Sequence, residues 1–302
     1  MTTYPELQTI RDFIRFAISR FNEAGLYYGH GTDNAWDEAI ALILHTLHLP
    51  HNINPTILDA HLIQDERAKL LNIIHQRVTK RVPVPYLTHE AWFSNLSFYV
   101  DERVLIPRSP IAELIENQFT PWIDDVHNIL DLCTGSGCIA IACAKAFPEA
   151  KIDASDISPE ALAVAKINVL RHLVEDEVHL YESDLFTSLP KKQYDIIVSN
   201  PPYVSVDEMN ALPVEYHHEP ELGLAAGTLG LDIVVKILQQ AGDYLQPNGI
   251  LVVEVGNSEI TLAEQFPHVP FTWLEFERGG GGVFVLTAKQ LQAYKAEFAT
   301  GV

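Results

Sequence analysis

Basic side chains are scarce in this chain of 302 residues: 20 Lys and Arg stand against 40 Asp and Glu, a formal net charge of −20. That balance repels phosphate backbones and favours basic partners, so stable nucleic-acid binding is not expected unless a local basic groove survives. No basic cluster is larger than Arg77, Lys80 and Arg81. Cysteine is rarer still. Cys133, Cys138 and Cys143 recur at spacings of five, which pair on no helix face and match no zinc-ligand pattern. They are expected to be reduced packing residues, with Cys133 in a loop where a small side chain lets the backbone approach a ligand. Long apolar runs are absent, as is a basic amino-terminal region followed by an apolar core. The expectation is a cytoplasmic protein with no membrane partner. Repeats and low-complexity tracts are also missing, while 47% hydrophobic and 9% aromatic content supports well-formed cores. The length suits one large domain and a small one.

From Tyr4 to about Arg81 the pattern is helical. Leu7, Ile10, Phe13, Ile14, Ala17, Ile18 and Phe21 recur at intervals of three and four, and Gly25 is a stop. Asp33 is the expected cap of a second helix reaching Pro50, and a third runs from Asp65 to about Lys80. His45, His48, His51, His61 and His75 share no ligand face, so no metal is expected there. Pro83-Val84-Pro85-Tyr86 breaks the pattern and reads as a linker. Ala91–Phe93 and Leu96–Val100 flank Ser94-Asn95 as a β-hairpin, followed by an extended Val104–Arg108 and a helix near Ile111–Phe119. The expected division is a helical substrate-recognition domain over 1–85, hairpin and linker over 86–120, and a large domain over 121–302; acids such as Asp33, Asp37 and Glu38 or Asp207, Glu208, Glu215, Glu219 and Glu221 are expected to steer a basic partner.

From Asn128 onward strand and helix patterns alternate as βαβ units do. Strands are predicted at Ile129–Cys133, Ile152–Asp156, Val178–Tyr181, Tyr194–Ser199, Ile250–Val255, Phe271–Phe276 and Val283–Thr287. The turn at Gly279–Gly282 is short, so the last two strands must be antiparallel. The fold class is therefore α/β, a Rossmann-like mixed sheet of seven strands with a small amino-terminal helical domain joined by the hairpin.

Candidate chemistry gathers at the carboxyl ends of these strands, where open α/β sheets bind ligands. Asn200-Pro201-Pro202-Tyr203 follows the fourth strand. Its two prolines remove two N–H donors and leave rigid carbonyl acceptors between an amide and an aromatic ring. Such a turn suits a planar NH₂ group: the Asn200 side-chain oxygen and the Pro201 carbonyl each accept one hydrogen, and Tyr203 covers the π face. Thr134-Gly135-Ser136-Gly137, between the first strand and a helix, brings backbone N–H groups close to a ligand. Asp156, about twenty residues on, is placed for ribose hydroxyls, and Asp184 for an exocyclic adenine amine. The ordered set is far more specific than any one member.

With these residues in hand, the sequence resembles the class I S-adenosylmethionine methyltransferases, and within them the glutamine-amide methyltransferases of the HemK type. The likeness covers essentially the whole chain, including Val104–Arg108, Asp131–Gly137 and Ser199–Tyr203. It implies that Thr134, Gly135, Ser136, Gly137 and Cys138 cradle the methionine part of the cofactor. Asp156 would bind its ribose, and Asp184 with Leu185 its adenine. Asn200, at the cofactor's edge, would hold the glutamine amide with Pro201, Pro202 and Tyr203, with Arg108 also on the substrate side. Leu185 stands where the release-factor branch carries an aromatic residue, and that branch lacks the run Gly279–Gly282. Both departures point to the branch acting on the third large-subunit ribosomal protein, a basic substrate.

The amide nitrogen is a poor nucleophile because its lone pair is delocalised. Holding both hydrogens favours a pyramidal nitrogen, and such positioning supplies several kcal/mol. Three other readings stay open: methylation of peptide chain release factors, an adenine amino-methyltransferase on nucleic acid, and a non-catalytic ribosome-assembly binder. The second needs basic residues for base flipping, which the charge disfavours; the third would not turn over cofactor.

Overall fold

The computed structural model describes residues 4–300. It divides into two compact units, residues 1–91 with 213–218, and residues 92–212 with 219–302. The helical unit thus extends past residue 85 and takes in a segment from the long loop after Tyr203.

In the helical unit, α1 (Ile10–Glu23) opens with a capping box between Thr9 and Asp12 and buries Ile10, Phe13, Ile14, Ala17 and Phe21. Helix α2 (Ala35–Thr46) is capped by Asn34 and not by Asp33, because the Asn34 side-chain oxygen takes the Asp37 N–H. Helix α3 (Gln64–Lys80) ends at Arg81 in the left-handed conformation. The expected linker at Pro83–Tyr86 instead forms a short helix, α4 (Val84–Thr88), since a proline in the first turn forfeits no helical hydrogen bond. Phe13, Phe21, Leu42, Ile43 and Leu70 form the core of this unit.

Helix α3 also buries a charge. Arg77 is fully buried and donates to Glu38 at 2.8 Å, to Glu215 at 3.4 Å and to the Tyr27 carbonyl at 2.9 Å. Arg81 adds a second cation to Glu215 at 3.2 Å. These bonds hold segment 213–218 in the unit.

The sheet unit begins within the hairpin of β1 (Ala91–Phe93) and β2 (Leu96–Phe98), which α5 (Ile111–Glu116) follows. Then alternate β3 (Asn128–Leu132), α6 (Cys138–Ala146), β4 (Lys151–Asp156), α7 (Pro159–His172), β5 (Val178–Glu182) and β6 (Tyr194–Ser199). The chain continues through α8 (Val206–Ala211), α9 (Asp232–Ala241), β7 (Leu245–Glu254), α10 (Glu259–Gln265), β8 (Thr272–Trp273) and β9 (Val283–Thr287), closing with α11 (Ala288–Ala293) and α12 (Lys295–Thr300).

The seven-stranded sheet runs β5-β4-β3-β6-β7-β9-β8, with β9 antiparallel to both its neighbours. This is the seven-stranded mixed sheet expected from the sequence. Alternation along the strands feeds two cores: Leu130, Leu132, Ile197, Leu251 and Val253 face one layer of helices, and Ile129, Ile196, Val198, Ile250 and Val252 the other. Edge strand β8 is only two residues long where six were expected. Its apolar signal reflects rings that pack, Phe271 and Trp273 lying 4.9 and 5.5 Å from Phe284, more than ladder pairing. Strand order reverses between β3 and β6, so their carboxyl ends part to leave a crevice.

Candidate functional site

A cavity of about 200 Å³ opens at that crevice, within the sheet unit alone. Its wall holds Cys133, Thr134, Gly135, Ser136 and Cys138 from the turn after β3, Asp156 from β4, Asp184 and Leu185 from the end of β5, and Asn200 and Pro202 after β6. Residues 103–105 and 107–109 close one side and Pro220, Leu222, Gly223 and Ala225 line another.

The turn after β3 is built from buried bonds. Asp131 is completely buried, and its Oδ2 accepts from the Thr134 hydroxyl at 2.5 Å and the Ala140 N–H at 3.1 Å, tying the loop to the first turn of α6. Burial pushes its carboxyl up to about 7, against those two bonds, which act to lower it. Thr134 N–H reaches the Ser155 carbonyl of β4, and Ser199 donates to the Leu132 carbonyl at 2.8 Å, which sets the end of β6 beside the same turn. Asn168 of α7, buried, donates to the Ser136 carbonyl and to the Tyr99 carbonyl and accepts the Tyr99 N–H. It pins the turn to the segment that follows the hairpin.

Gly135 has φ +55° and open space where a Cβ would stand, so its backbone faces the cavity. Gly137, expected in the cofactor cradle, is buried, and a Cβ there would lie 3.2 Å from that of Ala165 on α7. Asp156 Oδ2 accepts the Gly135 N–H at 2.8 Å and its Oδ1 the Ser158 N–H at 3.0 Å. Burial raises its carboxyl, and these N–H groups oppose that. Asp184 is exposed, and Leu185 is buried with φ +48°. The cysteines are free thiols; burial raises all three, Cys138 to about 12, so none is a thiolate.

The Asn-Pro-Pro-Tyr turn is only partly turned toward the cavity. Asn200 and Pro202 line it, and the Asn200 side-chain amide bonds to no other described residue. Pro201 is buried, and Tyr203 does not line the wall; its hydroxyl donates to Glu254 at 3.0 Å. Arg108 reaches the wall with its guanidinium engaged: both terminal nitrogens donate to Glu219 at 2.6 Å, and Glu219 also takes the Ile106 N–H. This forked pair joins the two lining segments across the opening.

Sequence reasoning missed Asn168 and Glu254, and counted Glu219 among the steering acids rather than as the buried partner of Arg108. For Glu254 a signal existed: it is a lone acid ending an otherwise apolar run at a strand's carboxyl end. Nothing local marks Glu219 or Asn168.

S-adenosylmethionine fits this donor set: an open glycine turn with a positive φ, one carboxylate ending β4 and another at the end of β5. Among the described residues no group of His, Cys, Asp and Glu is arranged to hold a metal ion, and no helix is long and apolar enough to cross a membrane.

A family model described as the methyltransferase small domain matches residues 112–214. Over 295 residues the chain is 48% identical to a ribosomal protein uL3 glutamine methyltransferase of Francisella tularensis, covering 97% of this chain and 94% of that protein. It is 52% identical over 289 residues to one of Neisseria gonorrhoeae, covering 95% and 96%. Among solved structures, a methyltransferase from Pyrococcus furiosus superposes with a TM-score of 0.46 at 17% identity, covering 75% of this chain and 99% of that one. Likeness of that degree bears on neither site nor substrate.

Proposed function

The chain belongs to the family of ribosomal protein uL3 glutamine methyltransferases, and from that premise we propose that it methylates the side-chain amide nitrogen of a glutamine in ribosomal protein uL3, in the cytoplasm. The observation that carries the site assignment is the Asn200 amide, without a partner among the described residues, in one cavity with Asp156, Asp184 and the glycine turn.

Bound in the cleft, S-adenosylmethionine supplies an electrophilic methyl group. The chain's part is to bind and orient. Backbone from Thr134 to Cys138 holds the methionine portion, Asp156 the ribose, and Asp184 beside Leu185 the adenine. The Asn200 side-chain oxygen and the Pro201 carbonyl accept the two hydrogens of the glutamine amide, directing the nitrogen lone pair at the methyl group. Orientation of this kind is worth several kcal/mol of the barrier. No strong base is needed beforehand, because the N–H becomes acidic once the nitrogen is alkylated.

The helical unit selects the basic protein substrate, which is neither a membrane nor stably bound nucleic acid. Exposed Asp33, Asp37, Asp207 and Glu221 steer it. Glu38, Glu215 and Glu219, acids that the sequence alone would enlist beside them, are buried against Arg77, Arg81 and Arg108 and take no part. Neutralising the four exposed acids lowers kcat/KM on intact uL3 but leaves a short glutamine peptide unaffected. Added salt, shortening the Debye length from about 10 Å toward 3 Å, has the same selective effect.

The test of the activity is transfer of labelled methyl from S-adenosylmethionine to purified uL3, with Asn200→Ala beside the wild type. The expected result is label on a uL3 glutamine, lost in the variant while cofactor affinity is retained. Label on RNA instead, or cofactor binding that collapses with the rate, overturns the assignment.

A further inference from the structure

Behind the Asn-Pro-Pro-Tyr turn lies a carboxyl group that the mechanism above does not use. Glu254 ends β7 after Ile250–Val253, all buried, and is itself only 4% exposed. The Ser109 hydroxyl lies 2.5 Å from its Oε2 and the Tyr203 hydroxyl 3.0 Å from its Oε1. Ser109 belongs to the cavity wall, and Tyr203 completes the turn that carries Asn200. The residues after Glu254 grip the same tyrosine. Gly256 meets its ring so closely that a Cβ would stand 2.6 Å from Cε2, and the Ser258 hydroxyl donates to its carbonyl at 3.3 Å.

The turn needs such a grip. Pro201 and Pro202 have no N–H to give, so no backbone bonds from them anchor the chain as it leaves β6, and the anchoring falls to side chains. Glu254 is not on the cavity wall, and both its oxygens are engaged, so it is not placed to take a proton from a substrate. We infer that Glu254 is a positioning residue: by bridging Tyr203 to Ser109 it fixes the Asn200–Tyr203 turn against the wall formed by residues 103–109. The inference rests on the reading of that turn as the holder of the substrate amide. Burial pushes the Glu254 carboxyl up to about 7, against the bonds from Ser109 and Tyr203 and the nearby Arg108 charge. A protonated acid there donates one bond and accepts the other, and a glutamine could do likewise.

The test compares Glu254→Ala, Glu254→Gln and Tyr203→Phe, alone and combined, for kcat, KM and cofactor affinity. Glu254→Ala lowers kcat by about tenfold or more, as expected for a small misplacement of reacting groups, with cofactor affinity unchanged. Glu254→Gln restores kcat to within about threefold, and adding Glu254→Ala to Tyr203→Phe costs little more, since both break one connection. Full additivity, equal loss in Ala and Gln, or a parallel fall in cofactor affinity overturns the inference. A readout independent of substrate accompanies it: the ring resonance of Tyr203 in ¹³C-tyrosine protein, assigned by its loss in Tyr203→Phe. It shifts in Glu254→Ala and stays in Glu254→Gln; a resonance unmoved in both overturns the inference. If the wild type methylates no protein, the amide reading fails while this resonance still decides whether Glu254 holds Tyr203.

Discussion

Both units bury carboxyl groups, and Glu215 of the helical unit and Glu254 of the sheet unit compensate the burial in opposite ways. In the helical unit Glu38 and Glu215, 2% and 1% exposed, sit on the guanidinium of Arg77, with Arg81 beside Glu215. Burial pushes Glu215 up, but the Tyr27 N–H, its own N–H and the two arginines outweigh that, and its carboxyl lies below the usual value. In the sheet unit Asp131 and Glu254, 0% and 4% exposed, form no salt bridge among the described residues and are both pushed up to about 7 by burial. Glu215 is held low by its pairing, while burial still raises Glu38 beside the same guanidinium; Asp131 and Glu254 have hydrogen bonds and no paired cation, unlike Asp153 on Lys192 and Glu219 on Arg108 in the same unit. The pairing in the first holds together segments far apart in the chain. In the second, a buried acid that carries a proton can donate as well as accept.

The sharpest break of this contrast is Arg77→Leu, which strands the buried Glu38 and leaves Glu215 with Arg81. A loss of about 3–5 kcal/mol is expected in urea unfolding followed by helical circular dichroism. The triple change Arg77→Leu, Glu38→Leu, Glu215→Leu should recover much of it, because it removes the charges together. A single variant no less stable than wild type would show that the network does not hold the unit.

A second contrast is in pH. Folding raises the Glu254 carboxyl from an ordinary 4.5 to about 7, so between those values the folded state binds more protons than the unfolded one. Stability therefore falls as pH rises through that window, by about 3 kcal/mol, and is level above it. Asp131, raised from 3.8 to about 7, acts with the same sign. Glu215, held low, acts with the other: its contribution is present above the ordinary carboxylate range and is lost as acid protonates it in the fold. Urea midpoints across about pH 4.5–7 should show a steeper decline in wild type than in Glu254→Gln. Equal slopes would mean that Glu254 is ionised in the fold.

Smaller again is the effect of a carboxyl aimed at the ligand. Asp156→Ala should weaken S-adenosylmethionine binding by about 1–3 kcal/mol in calorimetric titration, and the loss includes freeing the Gly135 and Ser158 N–H groups it now holds. Unchanged affinity would remove Asp156 from the site.

Much of the fold was legible because its signals are local. The buried runs Ile129–Leu132 and Tyr194–Ser199, the glycine turn after one and the proline turn after the other each announce themselves within a few residues. Their order along the chain, with the rule that open sheets bind ligands at carboxyl ends, was enough to place Asp156, Asp184 and Asn200 near one cleft. The antiparallel last strand followed from the shortness of Gly279–Gly282.

What the sequence could not decide is which acids are buried and with whom. Glu215 and Asp207, or Glu219 and Glu221, look alike as text, yet one of each pair is buried and the other exposed. The difference lies in contacts across the chain: Arg77 meets Glu215 over 138 residues, Arg108 meets Glu219 over 111, and Ser109 meets Glu254 over 145. The sequence determined the strands, the turns and the cleft, since periodicity and backbone restriction act between near neighbours. Only the tertiary structure decided that Tyr203 turns from the cleft toward Glu254, and that Arg108 is matched before any substrate arrives, because desolvation and pairing depend on what the fold brings alongside.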